Sequence, residues 1–235
     1  MDDLAPDIAV DQVLYGQGID AESASPRLPE LRAVAERALR DYRHWLEPRI
    51  VSTRLRVVAF EADAVRLEAG PPLTGRQAAH RFRGASEVVF AVCTVGEAVS
   101  RLAASLMDGD PLTALAVEGL ACAGVDGLSA AFCAEERRRA SAAGMCVTAP
   151  LSPGMDGWAL DEGQRTLFAH VDAASIGVRL SESFQMCPTK SASFVLGVGV
   201  NVPQDEGDAC SRCSARDRCA WRRGRAPGTS MRNEK

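Results

Sequence analysis

Apolar and polar residues follow two different periods along the chain, which predicts a mixture of helices and strands. Apolar residues recur at helical spacing over 29–46, and Pro48 ends that helix because the residue before a proline disfavours helical backbone angles. Over 51–67 apolar residues alternate with polar ones, which predicts two strands joined by a turn near 61–63. The other predicted elements are helices at 75–83 and 96–107, strands at 88–95 and 194–200, and helices opening at Asp161 (a capping box with Gln164) and at Asp172.

The longest predicted element is a helix from Asp110 to Ala143. Asp110 is a suitable N-cap, Pro111 suits the first helical position, and Gly144 supplies a stop. Its apolar side carries three glycines, Gly119, Gly124 and Gly127. Glycine lowers helix propensity but permits close approach of another backbone, so the pattern favours tight packing against a second helix.

These elements predict a single α+β domain over residues 1–202. Residues 203–235 differ in character, since they are polar, carry cysteines and then become basic. We interpret them as a cysteine-rich metal-binding segment followed by a flexible basic tail. The chain shows no internal repeat that would divide it further.

Composition narrows the possible functions. The chain has 235 residues, of which 46% are hydrophobic, and a formal net charge of −4. A nucleic-acid binder is usually basic, and no long apolar stretch is free of charge, so we expect neither nucleic-acid binding nor a membrane span. The acidic start MDDLAPDIAV does not resemble a secretory signal, which predicts a cytoplasmic protein without structural disulfides.

The strongest local signal is a group of three cysteines, Cys210, Cys213 and Cys219, within ten polar residues. Thiolates at this spacing can converge on one metal centre, and Cys187, followed by Pro188, is the best candidate for a fourth ligand. Either a 4Fe–4S cluster or a tetrahedral zinc ion suits four thiolates, unliganded or redox-active thiols are the third reading, and the sequence leaves all three open. The four remaining cysteines lie in apolar contexts and are predicted to be core thiols: Cys93, Cys122, Cys133 and Cys146.

Lysine is rare in this chain. Only Lys190 and Lys235 occur, against 25 arginines, a bias typical of GC-rich coding. Lys190 stands close to Cys187 in sequence, so it either faces the predicted cluster or is an ordinary exposed lysine. The chain has no phosphate-binding loop, and the glycines at 197 and 199 do not form a dinucleotide fingerprint.

Several motifs, in order along the chain, resemble the activation domain of cobalamin-dependent methionine synthase. The segment 177–193 carries most of the resemblance, through Leu180, Glu182, Ser183, Met186, Pro188, Ser191 and Ser193. The loop 152–154 resembles the family's glycine loop, 126–132 its long helix, and 10–49 the start of its stand-alone members. The similarity extends over roughly residues 8–202.

The resemblance implies a twisted antiparallel sheet with flanking helices. It also implies a domain that binds S-adenosylmethionine, lies over a corrinoid and allows cob(II)alamin to be reduced and remethylated. The candidate cofactor-binding residues are Ser152, Pro153, Gly154, Met155, Glu182, Lys190 and Ser191. A stand-alone version would serve a separate corrinoid protein or cobalamin-dependent methyltransferase.

The chain departs from that family at its methyl-donor site. Pro150 stands where the family has an arginine, Met155 where it has a tyrosine, and the aromatic of the Ser-x-Ser strand is absent. Proline cannot clamp a carboxylate in bidentate fashion, so S-adenosylmethionine binding stays open and direct methyl transfer is disfavoured.

Two functions therefore compete. One is a reductive activator that passes an electron from an iron–sulfur cluster to cob(II)alamin on a separate methyltransferase. The other is a non-catalytic corrinoid- or S-adenosylmethionine-binding module with a structural zinc site.

Overall fold

A computed structural model describes residues 4–155 and 158–203 of the chain. The helices are α1 (Val10–Gly16), α2 (Leu28–Tyr42), α3 (Arg76–Arg81), α4 (Ala98–Leu106), α5 (Pro111–Ala142) and α6 (Leu160–His170). The strands are β1 (Arg49–Phe60), β2 (Ala64–Leu67), β3 (Leu73–Thr74), β4 (Glu87–Thr94), β5 (Cys146–Val147), β6 (Arg179–Leu180), β7 (Met186–Cys187) and β8 (Ser191–Gly199). Two 3-10 turns, Arg43–Trp45 and Ala173–Ile176, follow α2 and α6.

Six of these strands form one antiparallel sheet in the order β3-β2-β1-β4-β8-β5, and β6 pairs with β7 in a separate hairpin. The central strand β4 pairs along its whole length with β1 and β8. A bulge between Val57 and Ala59 marks the point where β1 passes from β4 to β2. The α+β fold with an antiparallel sheet and flanking helices is therefore confirmed.

Both faces of the sheet are covered, because alternate side chains of β4 enter different cores. Val89, Ala91 and Cys93 pack against α5, together with Leu128 and Phe132 of that helix. We call this side the α5 face. Val88, Phe90 and Val92 point the other way, into a core formed with α3, α6 and the segment around Trp158, which we call the α6 face. A strand that is buried on both faces has a nearly continuous run of apolar residues in its sequence, as residues 88–95 have.

The α5 face carries a further layer of helices. α1, α2 and α4 pack against α5; Gly119 lies against α1, and Gly127 lies against the chain just before it. A Cβ on Gly119 would stand 2.4 Å from the carbonyl oxygen of Val13, and one on Gly127 would stand 2.8 Å from that of Asp7. Tight packing through the glycines of the long helix is confirmed, and only glycine fits at Gly119 without moving α1.

The predicted start of α5 is correct, whereas the predicted start of α6 and the predicted end of α2 are wrong. Asp110 caps α5 as expected, since its carboxylate accepts from the Thr113 backbone N–H at 3.1 Å. The capping box at Asp161 and Gln164 is wrong: the N-cap of α6 is Ala159, and Asp161 already lies in the first turn. The predicted helix over 29–46 is shorter, because α2 passes into a 3-10 turn after Tyr42.

The helix α5 is long and apolar enough to cross a membrane by length and composition. Within the fold, 56% of its most apolar stretch is buried, and its glycine and alanine side packs against the sheet and three helices. It is the central helix of this domain, and the cytoplasmic location stays a prediction.

Candidate functional site

The predicted site residues Lys190 and Ser191 lie where β8 begins, beside the end of β4. Ser191 Oγ donates to the Pro188 carbonyl at 2.7 Å and lies 3.0 Å from Thr94 Oγ1. The Thr94 hydroxyl in turn donates to the Lys190 carbonyl at 3.1 Å and accepts from the Gly96 N–H at 3.1 Å. This network fixes the backbone that carries both predicted residues.

The side chains of these two neighbours point to opposite faces of the sheet. Lys190 reaches α5, whereas Ser191 shares its face with Ser193, whose hydroxyl donates to Gln164 Oε1 of α6 at 3.1 Å. Ser193 and Gln164 are both buried. The structure thus divides the predicted cofactor-binding set, with Lys190 on the α5 face and Ser191 on the α6 face.

Lys190 is enclosed by two side chains of α5. Its Nζ lies 2.6 Å from Glu118 Oε2 and 3.3 Å from Cys122 Sγ, and 18% of its side chain is exposed. Burial alone lowers the pKa of Lys190, but the hydrogen bond that its ammonium donates to Glu118, together with the neighbouring Cys122, outweighs burial and raises the pKa above its ordinary value. Lys190 is therefore a positively charged, mostly enclosed group, and the alternative of an ordinary exposed lysine is wrong.

The predicted glycine loop lies on the α6 face. Leu151 exchanges two backbone hydrogen bonds with Val195 of β8, which places Ser152, Pro153, Gly154 and Met155 directly after it. The Gly154 N–H donates to the Trp158 carbonyl at 2.8 Å, and its φ of +87° suits glycine. Between positions 150 and 155 the chain has no basic side chain, so this loop does not supply the cation that a carboxylate-clamping site requires.

The second predicted loop is the tip of the β6–β7 hairpin. Glu182 is exposed there, and Phe184 adopts a positive φ of 61°. The Arg165 guanidinium of α6 stacks over the Phe184 ring at 4.4 Å from its centroid. A Cβ on Gly163, two residues before Arg165, would meet Pro153 of the glycine loop at 2.8 Å. The helix α6 therefore contacts both predicted loops.

The predicted metal site is only partly within the described residues. Cys187 is half-buried in β7, and a cis peptide bond joins it to Pro188. Cys210, Cys213 and Cys219 lie outside the described residues. Within 4–155 and 158–203, no three His, Cys, Asp or Glu side chains are placed to hold a metal ion. The four-cysteine cluster stays a prediction.

The remaining cysteines are of two kinds. Cys93 and Cys133 are buried, and burial raises the pKa of each thiol to about 11, so both stay protonated at neutral pH. Their assignment as core thiols is confirmed. Cys122 and Cys146 are only half-buried. Cys122 faces Lys190 rather than the interior, and its assignment as a core thiol is wrong.

One feature of the α6 face was not predicted from sequence. An open cavity of about 530 Å³ is lined by the end of α6 and the chain up to β6, including Phe168, Asp172, Val178 and Arg179. His170 lies in its wall, stacked on Phe90 with ring centroids 4.4 Å apart. The sequence indicates this cavity only by the occurrence of an aromatic residue, a histidine, a carboxylate and an arginine within twelve residues. The turn at 173–176 folds the chain so that these side chains line one cavity.

Comparisons with known proteins support the fold. No protein-family model matches the chain, and no curated protein matches it. Among solved structures the chain is similar to a crystal structure of the MetH reactivation domain bound to AdoHcy, with a TM-score of 0.52 and 13% identity. The match covers 82% of this chain and 73% of that one. At this identity the likeness shows a shared fold, as the sequence motifs implied.

Proposed function

We propose that this chain is a reductive activator of a separate corrinoid methyltransferase. A cluster held by Cys187, Cys210, Cys213 and Cys219 would supply one electron, which converts cob(II)alamin on the partner to cob(I)alamin. The observation that carries this proposal is the fold shared with the MetH reactivation domain, found in a chain that also carries three closely spaced cysteines.

The position of Cys187 supports this reading. Its strand β7 pairs with β6 so that Cys187 lies opposite Arg179, which lines the cavity of the α6 face. The helix α6 contacts both the glycine loop and the tip of the β6–β7 hairpin. One predicted ligand, an open cavity and two exposed loops are therefore adjacent, and this is the surface we assign to the corrinoid partner.

Methyl transfer is not required of this chain. Its glycine loop lacks a basic side chain, so we derive no step through S-adenosylmethionine. Once cobalt is returned to the cob(I) state, the partner's own methyl donor can alkylate it. The task left to this chain is to dock and to deliver an electron.

The test begins with purification of the full chain without oxygen, followed by iron, zinc and acid-labile sulfide analysis. We expect about four irons and four sulfides per chain. They should be lost in Cys213→Ser and kept in the matched control Cys122→Ser, whose thiol is outside the predicted ligand set. After reduction with dithionite and removal of the excess, the protein should convert added cob(II)alamin to cob(I)alamin, followed by absorption. One zinc and no sulfide would overturn the proposal.

A second candidate is a binding module with a structural zinc. It is favoured by the cavity, whose Arg179 and Asp172 could pair with a zwitterionic ligand, and by a structural neighbour whose crystal contains AdoHcy. Calorimetric titration with AdoHcy distinguishes the two. Saturable binding that Arg179→Gln abolishes, in a protein that contains zinc and no iron, would establish this function instead.

A further inference from the structure

We propose that Lys190 and Cys122 form an oxidation-dependent covalent cross-link, an N–O–S bridge, between the start of β8 and helix α5. Lys190 Nζ and Cys122 Sγ lie 3.3 Å apart, and no side chain that the structure describes separates them. A single oxygen atom inserted between them closes the bridge with little movement. This modification site is independent of the predicted cluster and lies on the opposite face from the cavity.

The reacting groups are held in place from both sides. Cys122 and Glu118 stand four residues apart on α5, so they lie on neighbouring turns of the same helix face. On the other side, the Lys190 carbonyl accepts from the Val95 N–H at 3.1 Å and from the Thr94 hydroxyl at 3.1 Å. The backbone of Lys190 and the helix that its side chain contacts are therefore both held in place.

The choice of lysine at this position favours a chemical role. Every other cation in the described residues apart from the histidines is arginine, and an arginine could pair with Glu118 equally well. A guanidinium stays protonated and offers no amine nucleophile, whereas a lysine amine can react once it loses its proton. Glu118 Oε2, 2.6 Å from Nζ, holds the ammonium beside Cys122 and can take the proton as the N–O bond forms.

Cys122 also differs from the thiols of the core. Cys93 and Cys133 are enclosed by apolar side chains, and burial keeps them protonated. Cys122 is half-buried beside a positive charge, and small oxidants reach a partly exposed thiol more readily than an enclosed one. Among the five described cysteines, only Cys122 has an amine within bonding reach.

The reaction balances with hydrogen peroxide as the oxidant. One thiol, one amine and two molecules of peroxide give the N–O–S bridge and three molecules of water. The thiol S–H, one amine N–H, one peroxide O–H and the two O–O bonds break, while one S–O bond, one O–N bond and three O–H bonds of water form. The sulfur and nitrogen centres together lose four electrons, two to each peroxide. A dithiol reductant that returns four electrons regenerates thiol, amine and water.

The full chain exposed to peroxide and quenched with catalase provides the test. Tryptic mapping should show the Cys122 and Lys190 peptides joined, with a combined mass increased by one oxygen and decreased by two hydrogens. Cleavage after Lys190 should be lost and should return after treatment with dithiothreitol. Lys190→Arg, which keeps the charge beside Glu118, and Cys122→Ser should both abolish the joined peptide.

Several outcomes would overturn the inference. Cys122 found only as a sulfinic or sulfonic acid, with Lys190 still cleaved by trypsin, would show that the amine does not take part. Cys122 found in a disulfide, or unmodified while exposed thiols oxidise, would do the same. Since both variants could also alter folding, their thermal midpoints are measured first. The bridge should raise the midpoint of the wild-type chain alone, reversibly with dithiothreitol.

Discussion

The two faces of the sheet are built in different ways. The α5 face is closed by apolar side chains and close helix contacts, and among the described residues its enclosed charges are the fully buried Glu136 and the mostly enclosed Lys190. The α6 face holds five of the six buried polar side chains, Thr94, Thr148, Gln164, Thr166 and Ser193, together with the cavity. Dry, close packing specifies a structure, whereas polar groups and open space are what a binding surface needs. Stability should therefore depend mainly on the α5 face and function on the α6 face.

The largest effect is expected from Arg54→Met, which breaks the charge pair between β1 and α5. Arg54 bonds Glu136, which is 2% exposed, and also Glu87 at 2.6 Å. Without Arg54, Arg139 at 3.4 Å is the one ion-pair partner that the described part of the chain leaves to the buried Glu136. Because an uncompensated buried charge is costly, we expect a loss of about 3 kcal/mol in unfolding free energy, measured with urea.

The matched control is Glu136→Gln, which should cost about 1 kcal/mol. Arg54 is 37% exposed and keeps Glu87 in this variant, so little charge is left unpaired. If Glu136→Gln were the more damaging change, the buried carboxylate would not be the group that depends on its partner.

Next in size is Gly119→Ala, which tests the close packing of the α5 face. The new Cβ would stand 2.4 Å from the Val13 carbonyl oxygen, and backbone cannot turn aside as a flexible side chain can. Overpacking of about 3 kcal/mol, less about 1 kcal/mol of helix propensity gained, predicts a net loss of about 2 kcal/mol. Gly109→Ala serves as control, because a Cβ at that position meets nothing within 4 Å and should leave the urea midpoint unchanged.

The same contrast explains what could be predicted from sequence. The caps of α5, its glycine contacts and the strands β1, β2 and β4 follow from local chemistry and periodicity, and they were found. The pairing of Gln164 with Ser193 was missed because a glutamine near a helix start reads equally well as half of a capping box. Only the tertiary fold decides between a local partner and one on β8.

Candidate site residues were harder to place than elements. Lys190 and Ser191 are adjacent in sequence, yet the alternation of a strand sends them to opposite faces. Lys190 contacts Cys122, which is 68 residues away in the sequence, and no sequence pattern predicts a contact between these two positions. The structure therefore separates the predicted site residues into two groups, and their role in binding a cofactor stays a prediction.

A smaller effect is expected from Ser193→Ala on the α6 face. It removes the donor to Gln164 Oε1 and leaves a buried amide oxygen without that partner, which costs about 1–2 kcal/mol. Gln164→Leu removes the orphaned group, so the double variant should lose less stability than the sum of the two single variants. Additive losses would show that the hydrogen bond contributes nothing to this face.

The smallest effect concerns pH and the wall of the cavity. Burial lowers the pKa of His170, although its hydrogen bond to the Pro71 carbonyl opposes the shift, so the folded state favours the neutral ring. The unfolded chain then binds more protons as pH falls through about 6.5, and this part of the stability is present above that pH and lost below it.

His170→Gln removes the titrating ring and should flatten the pH dependence of the unfolding free energy between about pH 7 and about pH 5. His80→Gln, at an exposed histidine, should leave the slope as in the wild type. An equal slope in all three proteins would mean that the cavity wall of the α6 face gains no stability from a neutral His170.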